Sequence, residues 1–333
     1  MRPILAGLLL GLSTAAVVPA HAQTLGAEFA TNYSIFDLGS ITGLPSNYGG
    51  LAFINANTLL IGGAANSAAG SLYTIGVTRN ANGFVSGFSG TAQRYGGAGG
   101  TIGEFNDGGV VFGPGGVLFT ARWPSNELGQ TLPGATDESR VTNLAPMGVT
   151  SSLSAINFVP AGFGGAGQIK LVSYGGGQWY SAGLSPDGNG TFDLVGLNQV
   201  DLDPLAAGIQ NVPGGPEGFV YIAAGSSAFA SNSMLISEYA SGLVGAYQVD
   251  ANGNPLVATR RTFLSGLSGA EGAVIDPVTG DFLFSTFGGG SRVVRVTGFA
   301  PPVPEPSTWL LMVLGIAALG ATAAKPRARP SQA

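Results

Sequence analysis

Glu217-Gly218-Phe219-Val220-Tyr221-Ile222, followed by Ser233-Met234-Leu235-Ile236-Ser237 and Gly242-Leu243-Val244-Gly245-Ala246-Tyr247-Gln248-Val249, is answered 54 residues later. The second copy reads Glu271-Gly272-Ala273-Val274-Ile275-Asp276, Asp281-Phe282-Leu283-Phe284-Ser285-Thr286 and Ser291-Arg292-Val293-Val294-Arg295-Val296. Each copy is three short apolar strands separated by turn residues. A repeat of this length suits a four-stranded sheet with generous loops better than a helical pair.

Working outward, similar first strands begin near Gly50, Gly109, Ala155, Gly218 and Gly272. The turns Asn80-Ala81-Asn82-Gly83, Asp187-Gly188-Asn189-Gly190 and Asp250-Ala251-Asn252-Gly253-Asn254 fall at one place in their units, between a third and a fourth strand. The expected fold is therefore all-β, a β-propeller of about five blades occupying residues 23–300. A sixth blade is allowed if the polar, Pro-containing stretch 122–150 conceals a degenerate one. Tyr33-Ser34-Ile35-Phe36 is a strand without a unit, and the last unit lacks a fourth strand. Pairing the first outside Val293–Val296 would close the ring.

Gly 56 and Pro 20 among 333 residues invite a disordered reading, but a 45% apolar composition clustered in Val, Ile, Leu and Phe can bury a core. There is no Cys, and the one His, His21, lies in a segment expected to be removed. The mature chain thus has neither a His-dependent triad nor a conventional zinc site. Between residues 23 and 303 seventeen acidic groups face nine basic ones, which disfavours a nucleic-acid partner.

The two ends read as addresses. Residues 1–22 have Arg2, an apolar run from Ile4 to Val18 and Ala20-His21-Ala22, the layout of a signal peptide handled by the secretion translocase and signal peptidase. At the other end, the Pro-rich linker 301–308 precedes an apolar run, 309–324, which as a helix would be about 24 Å long and could span a locally thinned bilayer. A basic tail, 325–333, follows and belongs on the cytoplasmic side. Val303-Pro304-Glu305-Pro306-Ser307-Thr308, the apolar run and the basic cluster resemble the PEP-CTERM sorting signal of Gram-negative bacteria. That resemblance implies an exosortase-type sorting protease that recognises Pro304, Glu305 and Pro306, with Lys325, Arg327 and Arg329 as the stop. It also implies an inner-membrane stage with the domain periplasmic, then release to the cell surface or to a matrix of exopolysaccharide or other envelope components. The body resembles bacterial propellers of the virginiamycin-lyase, NHL and gluconolactonase-like type, in which Glu-Gly often opens an inner strand. Known catalytic members use His or a full metal-binding carboxylate set.

Inner-strand starts converge on a propeller axis, so Asp107, Glu217 and Glu271 can meet there. Three carboxylates together would suit a hard cation such as Ca2+; separately, each would cap a local turn. Trp179, after Gly175-Gly176-Gly177, is a candidate ligand contact. The first functional reading is a non-catalytic extracytoplasmic binding or matrix protein without a cofactor. The alternative is a metal-assisted hydrolase or lyase using the axial carboxylates, and coordination-distance clustering of the three would favour it.

Overall fold

The computed structural model describes residues 23–150 and 152–300. Two strands, β1 (Thr24–Leu25) and β2 (Ser34–Gly39), precede the repeats. The first blade is β3 (Leu51–Asn55), β4 (Thr58–Gly63), β5 (Ser71–Arg79) and β6 (Val85–Arg94). The second is β7 (Asn106–Phe112), β8 (Leu118–Arg122), β9 (Glu127–Thr131) and β10 (Arg140–Asn143). The third is β11 (Leu153–Phe158), β12 (Ile169–Ser173), β13 (Trp179–Pro186) and β14 (Phe192–Val200). The fourth is β15 (Pro216–Ile222), β16 (Ser233–Glu238), β17 (Leu243–Gln248) and β18 (Arg261–Ser265), with β1 added outside β18. The fifth is β19 (Ala270–Ile275), β20 (Phe282–Thr286), β21 (Val293–Thr297) and, last in the sheet, β2.

The chain is thus a five-bladed propeller closed by its amino-terminal strand, with Ile35 opposite Val296 and Asp37 opposite Val294. Residues 122–150 hide no sixth blade. They supply β9 and β10, whose polar Arg140–Asn143 edge follows from its half-exposed outer position. The expected signal peptide, 1–22, and apolar span, 309–324, lie outside the described residues. Among the described residues no helix is long and apolar enough to cross a membrane.

Each sheet buries both faces against its neighbours. Leu171 and Tyr180 of the third blade pack with Phe119 and Leu128 of the second, while Trp179 and Val172 on its other face meet Phe219 and Ile236 of the fourth. The largest core lies between blades four and five, where both ends of the described chain join it: Phe29 lies 4.9 Å from Phe263, Tyr33 4.6 Å from Phe299, and Phe282 4.1 Å from Phe299 between ring centres. The ring is further tied where Arg79 of β5 donates to both oxygens of buried Asp276 at 2.7 and 2.8 Å, from the first blade to the fifth.

At the axis the inner strands touch backbone to backbone. A Cβ on Gly50 would lie 2.9 Å from the Gly108 oxygen, one on Gly108 2.6 Å from the Gly218 nitrogen, one on Gly218 2.5 Å from the Ala273 nitrogen, and one on Gly272 2.6 Å from the Gly50 Cα. The third blade enters the same contact through Gly109, where a Cβ would lie 2.5 Å from the Ile156 nitrogen. No side chain fits between them.

Two outcomes follow from this construction. Gly272→Ala should cost about 2 kcal/mol or more in urea unfolding, because backbone rather than a flexible side chain blocks the added methyl. Deleting residues 29–38 should lower the melting temperature by more than about 10 °C or prevent folding, whereas truncation after Ala300 should leave it nearly unchanged.

Candidate functional site

The residue before each axial glycine carries the site. Asp107 precedes Gly108, Glu217 precedes Gly218 and Glu271 precedes Gly272. In all three blades the inner strand slips register here. Ala270 pairs with Thr286 but Ala273 with Phe284; Pro216 pairs with Glu238 but Phe219 with Ile236; Asn106 pairs with Arg122 but Val110 with Thr120. These are bulges, and extra residues in a strand re-aim the side chains they carry. In blades one and three the corresponding places are Gly49 and Ser154, and the Ser154 hydroxyl is used internally on the Val172 and Pro216 carbonyls.

The three carboxylates come together. One oxygen from each lies within 4.8 Å of the others, and all three residues are buried. They form one cluster rather than three separate caps, with Asp107 in hydrogen-bonding reach of both Glu217 and Glu271. Asp107 Oδ2, Glu217 Oε2 and both oxygens of Glu271 are buried with no hydrogen-bond partner. Asn66, with its amide nitrogen turned inward, donates to Asp107 Oδ1 at 2.8 Å. Burial pushes the Asp107 carboxyl up to about 7. Burial, then the charges of its neighbours, drives Glu217 and Glu271 well above the usual carboxylate range.

Elsewhere the protein treats buried carboxylates differently. Asp276 has Arg79, Asp281 has Arg295 at 3.6 Å, and Glu238 has Arg260 at 2.8 Å together with the Tyr247 hydroxyl at 2.6 Å. Among the described residues, the axial three are the buried acids grouped with one another and given no arginine.

Above them opens a cavity of 450 Å³ reached by Glu217. Its wall has a regular origin. The residue directly after the second strand of a blade is Trp123, Tyr174, Tyr239 or Phe287 in blades two to five, and all four line the cavity. Tyr239 meets Tyr174 and Phe287 edge to face, at 5.8 and 5.9 Å between ring centres. On the first-blade side the lining changes to Asn47, Asn66 and Ser67. Burial first, and then the three carboxylates, raise the Tyr174 and Tyr239 phenols, so both stay protonated at neutral pH. The Trp123 Nε1 hydrogen is buried without an acceptor.

Trp179 is not part of this wall. It is fully buried, 4.8 Å from the Phe219 ring, with its Nε1 donating to Asn254 at 3.2 Å. The open glycine loop before it carries Tyr174 to the cavity instead. The Asp187 and Asp250 turns are hairpin turns closed by their own carboxylates: Asn189 N donates to Asp187 and Asn252 and Asn254 N to Asp250, each at 2.8 Å. Position alone could have found the aromatic wall, since each member directly follows a second strand. Without strand ends in hand, the varied loops hid that equivalence.

No curated protein matches the chain. Solved structures that resemble it include the Myxococcus xanthus glutaminyl cyclase (15% identity, 80% of this chain and 95% of that one, TM-score 0.46). Others are the PQQ-bound aldose sugar dehydrogenase of Streptomyces coelicolor (12%, 78% and 83%, 0.37) and the virginiamycin B lyase of Staphylococcus aureus with quinupristin, in a catalytically inactive form (11%, 80% and 99%, 0.37). At such identities the likeness is one of fold. Residues 302–327 match the family model of the PEP-CTERM protein-sorting motif, a stretch that holds Pro304, Glu305, Pro306, Lys325 and Arg327, with Arg329 just beyond it. The chain therefore carries a PEP-CTERM signal, which implies export and association with the exosortase sorting system, behind a five-bladed propeller with an acidic axial site.

Proposed function

We propose that this exported propeller is a divalent-cation-dependent hydrolase or lyase whose axial carboxylates, Asp107, Glu217 and Glu271, hold the cation. The observation that carries the reading is the set of unpartnered buried carboxylate oxygens within coordination distance of one another, in a protein that pairs its other buried acids with arginine. Three all-oxygen donors and no His or Cys suit a hard ion, Ca2+ first, with Mg2+ and Mn2+ of the same class. Bound there, such an ion supplies Lewis acidity toward a carbonyl, phosphoryl or glycosidic oxygen in the cavity. The chain's own groups do the rest. Glu217, the member that reaches the cavity, is placed to accept a proton, and the protonated Tyr174 and Tyr239 phenols can donate one to a leaving oxygen.

The localisation proposed with it is an export route through the secretion translocase and signal peptidase at residues 1–22. A stage held in the inner membrane by 309–324 follows, with 325–333 cytoplasmic. Processing near 301–308 then gives release to the surface, among exopolysaccharide or other envelope components. Intact mass and fractionation in the native host test that route. A mature chain ending near Pro304 supports it, and a full-length tail retained in the inner membrane opposes it.

Calorimetric titration of the full chain in detergent should show one Ca2+, Mg2+ or Mn2+ site with a dissociation constant below about 1 mM, weakened about tenfold or more in Glu271→Gln. The cation should also be required for turnover in a screen of ester, lactone, phosphoester and glycoside substrates. Binding without turnover restores the non-catalytic reading; no cation site at all overturns the proposal.

The pH response has a definite sign. Asp107 is raised in the fold from about 4 to about 7, so its contribution to stability is present below about pH 4 and is lost as pH rises through 7. In EDTA the melting temperature should fall across that window, and added Ca2+ should reverse the fall above pH 7. Glu138 and Asp281, also pushed up to about 7 by burial, and the raised Glu217 and Glu271 act in the same direction, so the share of Asp107 is the part of the slope that Asp107→Asn removes.

A further inference from the structure

Resting on the cation reading above, we infer that the ligand of the axial cavity is a saccharide, bound by its hydroxyls to the cation and by its carbon–hydrogen face to the aromatic wall. The cavity sets two demands on whatever fills it. A hard cation takes about six to eight oxygen ligands, and three carboxylates buried beneath the cavity leave the positions on its open side to the ligand. The sides, however, are aromatic over four of the five blades, with Trp123, Tyr174, Tyr239 and Phe287 standing at one equivalent position and the last three in edge-to-face contact. The ligand must therefore offer clustered neutral or anionic oxygens on one side and an apolar face on another.

A pyranose does both, because its hydroxyls radiate from the ring while the axial hydrogens make an apolar patch that fits against an aromatic ring. A hydrocarbon ligand would leave the cation's open positions unmet. An organic ammonium would satisfy the rings but be repelled by the bound cation. Asn47 and Ser67 place amide and hydroxyl groups on the side where the aromatic wall ends. The volume of 450 Å³ is within the range of small-ligand sites.

The readout is tryptophan fluorescence of the full chain in Ca2+, titrated with a panel of neutral and uronic-acid oligosaccharides and with tetramethylammonium. Trp179 is fully buried and Trp309 is replaced by Phe in the measured chain, so a cavity ligand acts on Trp123. At least one oligosaccharide should shift the emission saturably, and Tyr239→Ala, with both cavity tryptophan and fold retained, should weaken it about tenfold. Calorimetry with the same sugar should show the loss for Trp123→Ala and a smaller one for Trp123→Phe, which keeps a ring against the sugar face. No response to any oligosaccharide, an unchanged affinity in both Tyr239→Ala and Trp123→Ala, or a response to tetramethylammonium alone overturns the saccharide assignment. Because Ca2+ binding is titrated separately, its absence alongside intact sugar binding would instead overturn the cation reading.

Discussion

Five inner strands reach the axis with almost no side chain to separate them, and the rest of the molecule depends on that approach. The contacts among Gly50, Gly108, Gly218 and Gly272 are backbone against backbone, so the axis is closed by main chain rather than by a plug of apolar residues. Closing it this way leaves the residue just before each glycine at the edge of the contact. The bulges at Asp107–Gly109, Glu217–Gly218 and Glu271–Gly272 then turn those residues toward one another. The glycines and the acids are thus two halves of one device: a larger residue at 218 or 272 would push apart the strands that hold the carboxylates together.

Holding them together is electrostatically unfavourable without a counter-charge. Bringing an ionised carboxylate out of water is costly even singly, and grouping three adds mutual repulsion. The protein has the means to neutralise such groups and uses them on Asp276, Asp281 and Glu238. At the axis it uses none, and the raised proton affinities of Asp107, Glu217 and Glu271 measure what that arrangement costs. A group of this kind is relieved either by protons or by a cation.

Much of this was legible before any coordinates. Periodic Val, Ile and Phe clusters and three hairpin turns marked the blades, and the spare strand at Ser34–Phe36 announced the closure. The Glu-Gly pairs marked the axis. What stayed hidden depended on register and on distance. A bulge leaves no mark in composition, so the convergence of Asp107, Glu217 and Glu271 and the turn-capping alternative read the same in one dimension. Trp179 looked open because three glycines precede it, yet β13 begins at that residue and its side chain falls on the face packed against the fourth blade. β9 and β10 read equally as a long loop or an irregular outer strand pair, because an outer pair with Arg140 bound to Asp187 and Asp193 needs little apolar sequence. β1, at two residues, has no periodicity to detect.

The route of the chain fixes at which end of the propeller the described residues stop. Inner strands begin at the carboxylates and end at the opposite face, where the loop after β15 lies. The described chain ends on that opposite face: Phe299 packs against Tyr33 and Phe282, and the Ala300 N–H donates to Ser226 in the loop after β15. Residues 302–327 are therefore joined to the end of the propeller away from the cavity mouth. The axial carboxylates and the last described residue are thus at opposite ends of the inner strands.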